Sequence, residues 1–119
     1  MRRAYAHRAA VELDPAGDDR APGAAVTAEL CGHWEHEPPC PVAAHHTRAE
    51  RRGDVVDLRV LFAAEPEREA EVRTRIELAL RAGALTGPGG ATTRWRLREV
   101  GPAVVADAEA DHAERLTRS

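Results

Sequence analysis

The sequence predicts a single α+β domain, residues 1–119, built on a four-stranded, mostly antiparallel sheet with its helices on one face. Three observations carry this expectation. Asp54 to Ala64 alternates Val56, Leu58, Val60 and Phe62 with Asp57, Arg59 and Leu61, the period of a strand. From Pro66 to Ala82 the period changes, and Val72, Ile76, Ala79 and Leu80 fall on one helical stripe. A length of 119 residues fits one compact domain able to bury its own core.

The elements follow in order. Arg3–Leu13 is a first strand, with Val11 and Leu13 at period-two spacing. Asp14-Pro15-Ala16-Gly17-Asp18-Asp19 is turn chemistry that Pro22-Gly23 extends into a loop. Ala25–Trp34 is expected as a second strand, with Val26, Ala28 and Leu30 on one side and Thr27, Glu29, Cys31 and His33 on the other. Pro38, Pro39 and Pro41 exclude regular structure, and Arg48, Glu50, Arg51 and Arg52 suggest an exposed linker into the third strand. Pro66 suits the first turn of the helix and Gly83 its end. Gly87-Pro88-Gly89-Gly90 makes a loop, Thr92–Val100 a fourth strand with Trp95 and Leu97 inward, and Ala106–Thr117 a polar helix. The order β-β-β-α-β-α points to a ferredoxin-like or related sandwich.

Composition narrows the function. The net charge is −3 with 31% charged residues, which removes a global drive toward nucleic acid or anionic membrane. All 17 basic residues are arginine, and Lys, Asn and Gln are absent, as in a high-GC bacterial coding sequence. Each base is therefore permanently charged and suited to planar, bidentate partners. No segment approaches the 18 apolar residues of a membrane span, and no apolar run follows Met1-Arg2-Arg3. A cytoplasmic setting is the expectation, with both cysteines as thiols or ligands rather than a disulfide.

Cys31–His46 is the densest chemistry in the chain. It holds both cysteines and four of the six histidines: Cys31, His33, His36, Cys40, His45 and His46. In an extended chain Cys31 and His33 would project to one side, and Pro38-Pro39 would fold the chain back to bring Cys40 beside them. Thiolate and imidazole together favour a zinc ion over hard cations, with other transition metals also served. The paired Cys-x-x-Cys knuckles of a zinc ribbon are missing, so the ligand set stays open. A Cys31/Cys40 disulfide or redox pair is the competing use.

Three functional readings follow. The first is a metal-binding protein, zinc as cofactor, whose site is structural or regulatory and acts through a protein or small-molecule partner. The second is a metal-dependent hydrolase with Glu35 or Glu37 as general base. The third is an anion-binding module using Arg94, Arg96 and Arg98, which alternate along the fourth strand opposite Trp95 and Leu97. Nucleic acid is disfavoured because the aromatic platforms that accompany it are missing. Cross-strand pairing with Asp57, Glu29 or Glu12 is the plain alternative for those arginines. Homo-oligomerisation is compatible with all three.

Overall fold

The computed structural model describes residues 1–32 and 42–118. They form a single α+β domain with a five-stranded antiparallel sheet, curled into a half-barrel, and three helices. The strands are β1 (Arg3–Leu13), β2 (Ala44–Arg52), β3 (Val55–Ala64), β4 (Ala84–Thr86) and β5 (Thr92–Ala103), in sheet order β2-β3-β1-β5-β4. The helices are α1 (Ala21–Cys31), α2 (Glu69–Arg81, entered through a 3-10 turn at Pro66–Arg68) and α3 (Ala110–Thr117).

The register assigns every strand residue to one of two faces. Val11↔Val56, Ala9↔Leu58, His7↔Val60 and Tyr5↔Phe62 share the face beneath α1 and α2. Val26 and Leu30 of α1, and Val72, Ile76 and Leu80 of α2, are fully buried against it. Burying one such side chain stabilises by about 1.5–3 kcal/mol. The opposite face holds Ala6, Arg8, Ala10 and Glu12 of β1, and α3 covers only one end of it, where Leu116 meets Leu61, Ala6 and Ala63. Helices on both faces replace the expected one-sided cover. The reason is chemical: Ala6, Leu61 and Ala63 leave an apolar end on the second face that water would otherwise meet.

Three elements differ from the sequence expectation, and the sheet has five strands rather than the expected four. Residues 21–31 are a helix, not a strand. Pro22 lies in its first turn, where a missing N–H costs nothing. Gly32 closes the other end at φ 83°, its N–H donating to Ala28 O at 2.8 Å. Val26 and Leu30 satisfy both a period of two and an i,i+4 spacing, so alternation alone cannot separate the alternatives. Helix α1 lies against α2, β2 and β4, and none of its side chains is fully exposed. Its approach to β2 is close at Gly23, where a Cβ would stand 3.1 Å from Thr47 Oγ1.

The expected linker at 48–52 is half of an edge strand. β2 pairs with β3 without interruption from Ala44↔Ala63 to Arg52↔Val55. A two-residue turn, Gly53-Asp54, joins them, with Gly53 at φ 63°, the glycine-first pattern of a type II′ hairpin. Short β4 adds a hairpin to β5 through the glycine-rich loop. The first strand, the β3 strand, the α2 stripe and the terminal helix stand where the sequence places them. Among the described residues no helix is long and apolar enough to cross a membrane.

One polar cluster lies inside this apolar layer. His7 is fully buried on β1 beneath α2. Arg73 donates to its Nδ1 at 2.9 Å, which places the ring proton on Nε2, 3.1 Å from Glu77 Oε2. That second contact is electrostatic, because Nε2 has no aligned hydrogen-bond acceptor. Arg73 also donates to Ala6 O and Glu69, and its guanidinium lies over the Tyr5 and Phe62 rings. Burial, then the Arg73 charge, holds His7 below its usual pKa against the opposing pull of Glu77. On the other face Arg59 grips Glu109 with two bonds of 2.7 Å and holds that carboxyl at about 2.

Both shifts make acid destabilising. The unfolded chain takes up a proton at His7 first, so stability falls as pH drops below about 6.5 and levels off beneath the folded pKa. Glu109 contributes stability above about 4.5 that is lost as pH falls toward 2. The urea midpoint should therefore fall as pH is lowered from 8 to 4, and His7→Gln should flatten the part between pH 7 and 5. An unchanged slope in the variant would assign that decline elsewhere.

Candidate anion-binding face of the sheet

Of the Cys/His segment, Cys31, His45 and His46 lie among the described residues. Cys31 ends α1, 2% exposed, and is half of a disulfide. The chain has one other cysteine, Cys40, which lies outside the described residues together with His33, Glu35, His36 and Glu37. This corrects the expectation of a free thiol at Cys31. Gly32 turns the chain sharply, and Val42 N–H returns to donate to Leu30 O at 3.1 Å, so the two flanks of the segment are clamped together.

His45 and His46 lie on opposite faces of β2. His45 is buried, its Nδ1–H donating to Ala43 O and its Nε2 accepting from the Thr27 hydroxyl, each at 3.1 Å. The Nε2 bond ties β2 to α1, while the Nδ1 bond fixes the ring against the start of its own strand. His46 points the other way, and its ring lies against His112 of α3 with centroids 4.3 Å apart. Strand alternation enforces the split: adjacent residues cannot reach one ion from the same side. Among the described residues no group of three or more His, Cys, Asp or Glu side chains is placed to hold a metal.

The face left open by α3 carries the densest charge. Its rows run straight across the sheet. Arg48↔Arg59, Arg59↔Arg8 and Arg8↔Gly101 form one row, and Glu50↔Asp57, Asp57↔Ala10 and Ala10↔Glu99 the next. Arg52↔Val55, Val55↔Glu12 and Glu12↔Arg96 form a third, with Arg94 beyond it. A register shift opposite Ala10/Val11 lets β5 present Arg98 and Glu99 side by side on this face while Leu97 and Val100 both pack inward. That bulge is what strict alternation misses.

Seven arginines (8, 48, 52, 59, 94, 96 and 98) share these strand positions with four carboxylates, Glu12, Glu50, Asp57 and Glu99. Some are paired: Arg52 with Asp57, Arg8 with Glu99 at 3.6 Å, Arg98 with Glu12 at 3.8 Å, and Arg59 with Glu109 of α3. Asp57 sits below its usual pKa, chiefly through its hydrogen bond from Arg52. Arg48, Arg94 and Arg96 are exposed and have no ion pair within 4 Å among the described residues. Like charges directly opposite are unfavourable, and the arginine row is offset by Glu109, by the exposed Glu99 and by Asp57 of the next row.

Three shallow depressions pit this face. One of 220 Å³ lies among Arg8, Arg48 and Arg59, with Glu50 and Asp57 at its side. Another of 340 Å³ lies over Ala10, among Arg52, Arg98 and Glu99. The third, of 380 Å³, adjoins Arg94 and Arg96, with Glu12, Asp14 and Asp54 at its rim. Trp95 is 7% exposed, packed on the helix side with its Nε1 donating to Leu80 O at 2.8 Å, and reaches the third depression only by its edge. A larger groove of 460 Å³ separates the start of α1 from the β4–β5 hairpin, but Asp18 and Arg20 at its wall satisfy each other.

No protein-family model matches the chain, and no curated protein or solved structure matches it. Sequence reasoning singled out Arg94, Arg96 and Arg98, but missed Arg8, Arg48 and Arg59. Their alignment depends on strand order, which no local pattern reports.

The placement of His45 gives a direct test of its role. His45→Ala strands the Thr27 hydroxyl and leaves a cavity under α1. Unfolding stability should fall by about 2–4 kcal/mol. Equilibrium urea denaturation measures this, and a loss within about 0.5 kcal/mol would mean the two hydrogen bonds carry little.

Proposed function

We propose that the protein is a binding module for a small anionic ligand carrying phosphate or carboxylate groups, held on the open face of the sheet. One observation carries the reading: seven arginines against four strand carboxylates on one face of a chain whose net charge is −3. Guanidinium groups bind such oxyanions bidentately, and Arg94 and Arg96, exposed and without an ion pair within 4 Å among the described residues, stand together at one end of the face beside Arg98. The lack of an exposed aromatic there argues against a nucleic acid. The strand order β2-β3-β1-β5, with α1 and α2 as connections, supports the finer description of the fold as ferredoxin-like, extended by β4 and α3.

Calorimetric titration with inorganic pyrophosphate and with citrate tests this. Binding should weaken as salt rises. Arg94→Glu combined with Arg96→Glu should weaken it about tenfold or more. Wild-type protein that binds neither probe, or a reversed variant with unchanged affinity, defeats the reading.

A second reading, transition-metal binding in the 31–46 region, is favoured by the approach of His46 and His112. Neutral imidazoles so close can share a zinc ion. Cys31 lies on the helix side of the sheet, away from this pair, so further ligands would come from elsewhere in the segment. Metal analysis of protein purified with and without reductant should give about one zinc per chain in the reduced form, lost in His46→Ala. Metal-free protein under both conditions removes this reading, and with it the hydrolase alternative that needs Glu35 or Glu37 beside a metal.

A further inference from the structure

The two borders of the sheet are unlike. One ends in β4, three residues long. The other ends in β2, nine residues long, without proline and without a break in its register against β3. Short strands and bulges are the usual means of keeping an edge from pairing with another chain. β4 uses the first. β2 uses neither, and no described strand flanks its outer side.

Charge is the remaining means of protection, and on β2 it is arranged permissively. The open-face residues of β2 are His46, Arg48, Glu50 and Arg52. Arg48 and Glu50 are exposed, and neither has an ion pair within 4 Å among the described residues. We infer that β2 is the interface of a symmetric homodimer, in which two copies of this chain join antiparallel through their β2 edges with Ala49 opposite Ala49.

A two-fold axis normal to the sheet is the only one that joins two copies of an edge antiparallel, so residues of like face oppose each other. Centring it on Ala49 sets Arg48 of each copy opposite Glu50 of the other, two ion pairs per dimer. Sliding one step to either side while keeping the faces matched is unfavourable. With Arg48 at the axis, Arg48 opposes itself. With Glu50 at the axis, Glu50 opposes itself, and Arg48 meets Arg52 twice. Like charges directly opposite disfavour both registers. In the chosen register His46 meets Arg52, whose charge is already taken by Asp57. On the helix side Thr47 meets Arg51, and Arg51 is engaged with Gly53 O, Gly17 O and Asp14 O. Ala49, exposed and small, puts no bulk at the axis. The product would be a continuous ten-stranded sheet with both α1 helices on one side.

Sedimentation velocity over a concentration series tests this with four proteins: wild type, Arg48→Glu, Glu50→Arg, and the double exchange. The wild type should dimerise. Each single reversal should weaken the dimer about tenfold or more, because it sets two like-charge pairs in the interface. The double exchange should restore it, since 48 and 50 meet across the axis in either order. A thermal melt of each variant separates lost association from lost folding. Wild type that stays monomeric at its highest soluble concentration overturns the proposal. So does a dimer that both single reversals leave intact, or one that the double exchange fails to restore.

Discussion

Ten consecutive residue pairs join β1 to β3, from Arg3↔Ala64 to Glu12↔Val55. This ladder is the constraint on which the rest of the molecule depends. It places β1 at the centre, with β5 on its other side, and fixes which side chains lie under α1 and α2. A slip of β3 by one residue would send Val56, Leu58 and Phe62 to the open face and lift Asp57 and Arg59 into the helix layer. The cost of burying those charges unpaired keeps the register where it is.

The two faces then acquire separate chemistry. The helix face is largely apolar, and its deepest polar group is His7, whose buried ring is held by Arg73 and Glu77 of α2. That cluster joins the centre of the sheet to the middle of a helix through groups whose protonation matters, so acid acts on packing at the core as well as on the surface. The open face is the reverse. Its apolar end lies under α3, and the rest is a grid of arginine and carboxylate rows pinned at one corner by Arg59 and Glu109. Strand pairing sets the spacing of that grid, which gives it the rigidity a binding surface requires.

Parts of this were legible before any coordinates. Arg3–Leu13, the β3 strand and the Val72/Ile76/Leu80 stripe carry strong single-period signals, and they stand where the sequence places them. The Arg94/Arg96/Arg98 stripe was visible on the same basis. Helix α1 was not, because Val26 and Leu30 satisfy two periods at once and the helix-starting Pro22 also suits a loop. Nor was β2: an edge strand with charge on its open face and small or polar residues on the other resembles a linker. Within the Cys/His cluster, Cys31 is buried at the end of α1 and strand geometry parts His45 from His46, while the other candidate ligands lie outside the described residues.

By itself, then, the sequence determined the element types with one clear period, the aliphatic character of the core and the permanently charged nature of every base. These are local or compositional properties, set by neighbours a few residues away. Tertiary structure alone decided the strand order, the second helix-covered face, the bulge at Arg98–Glu99 and the row of Arg48, Arg59 and Arg8. Those three arginines come from three strands, separated by as much as 51 residues, and only hydrogen-bonded register brings them into line. Register is settled by which arrangement buries the most apolar surface while leaving the fewest charges unsatisfied, a property of the whole chain rather than of any segment.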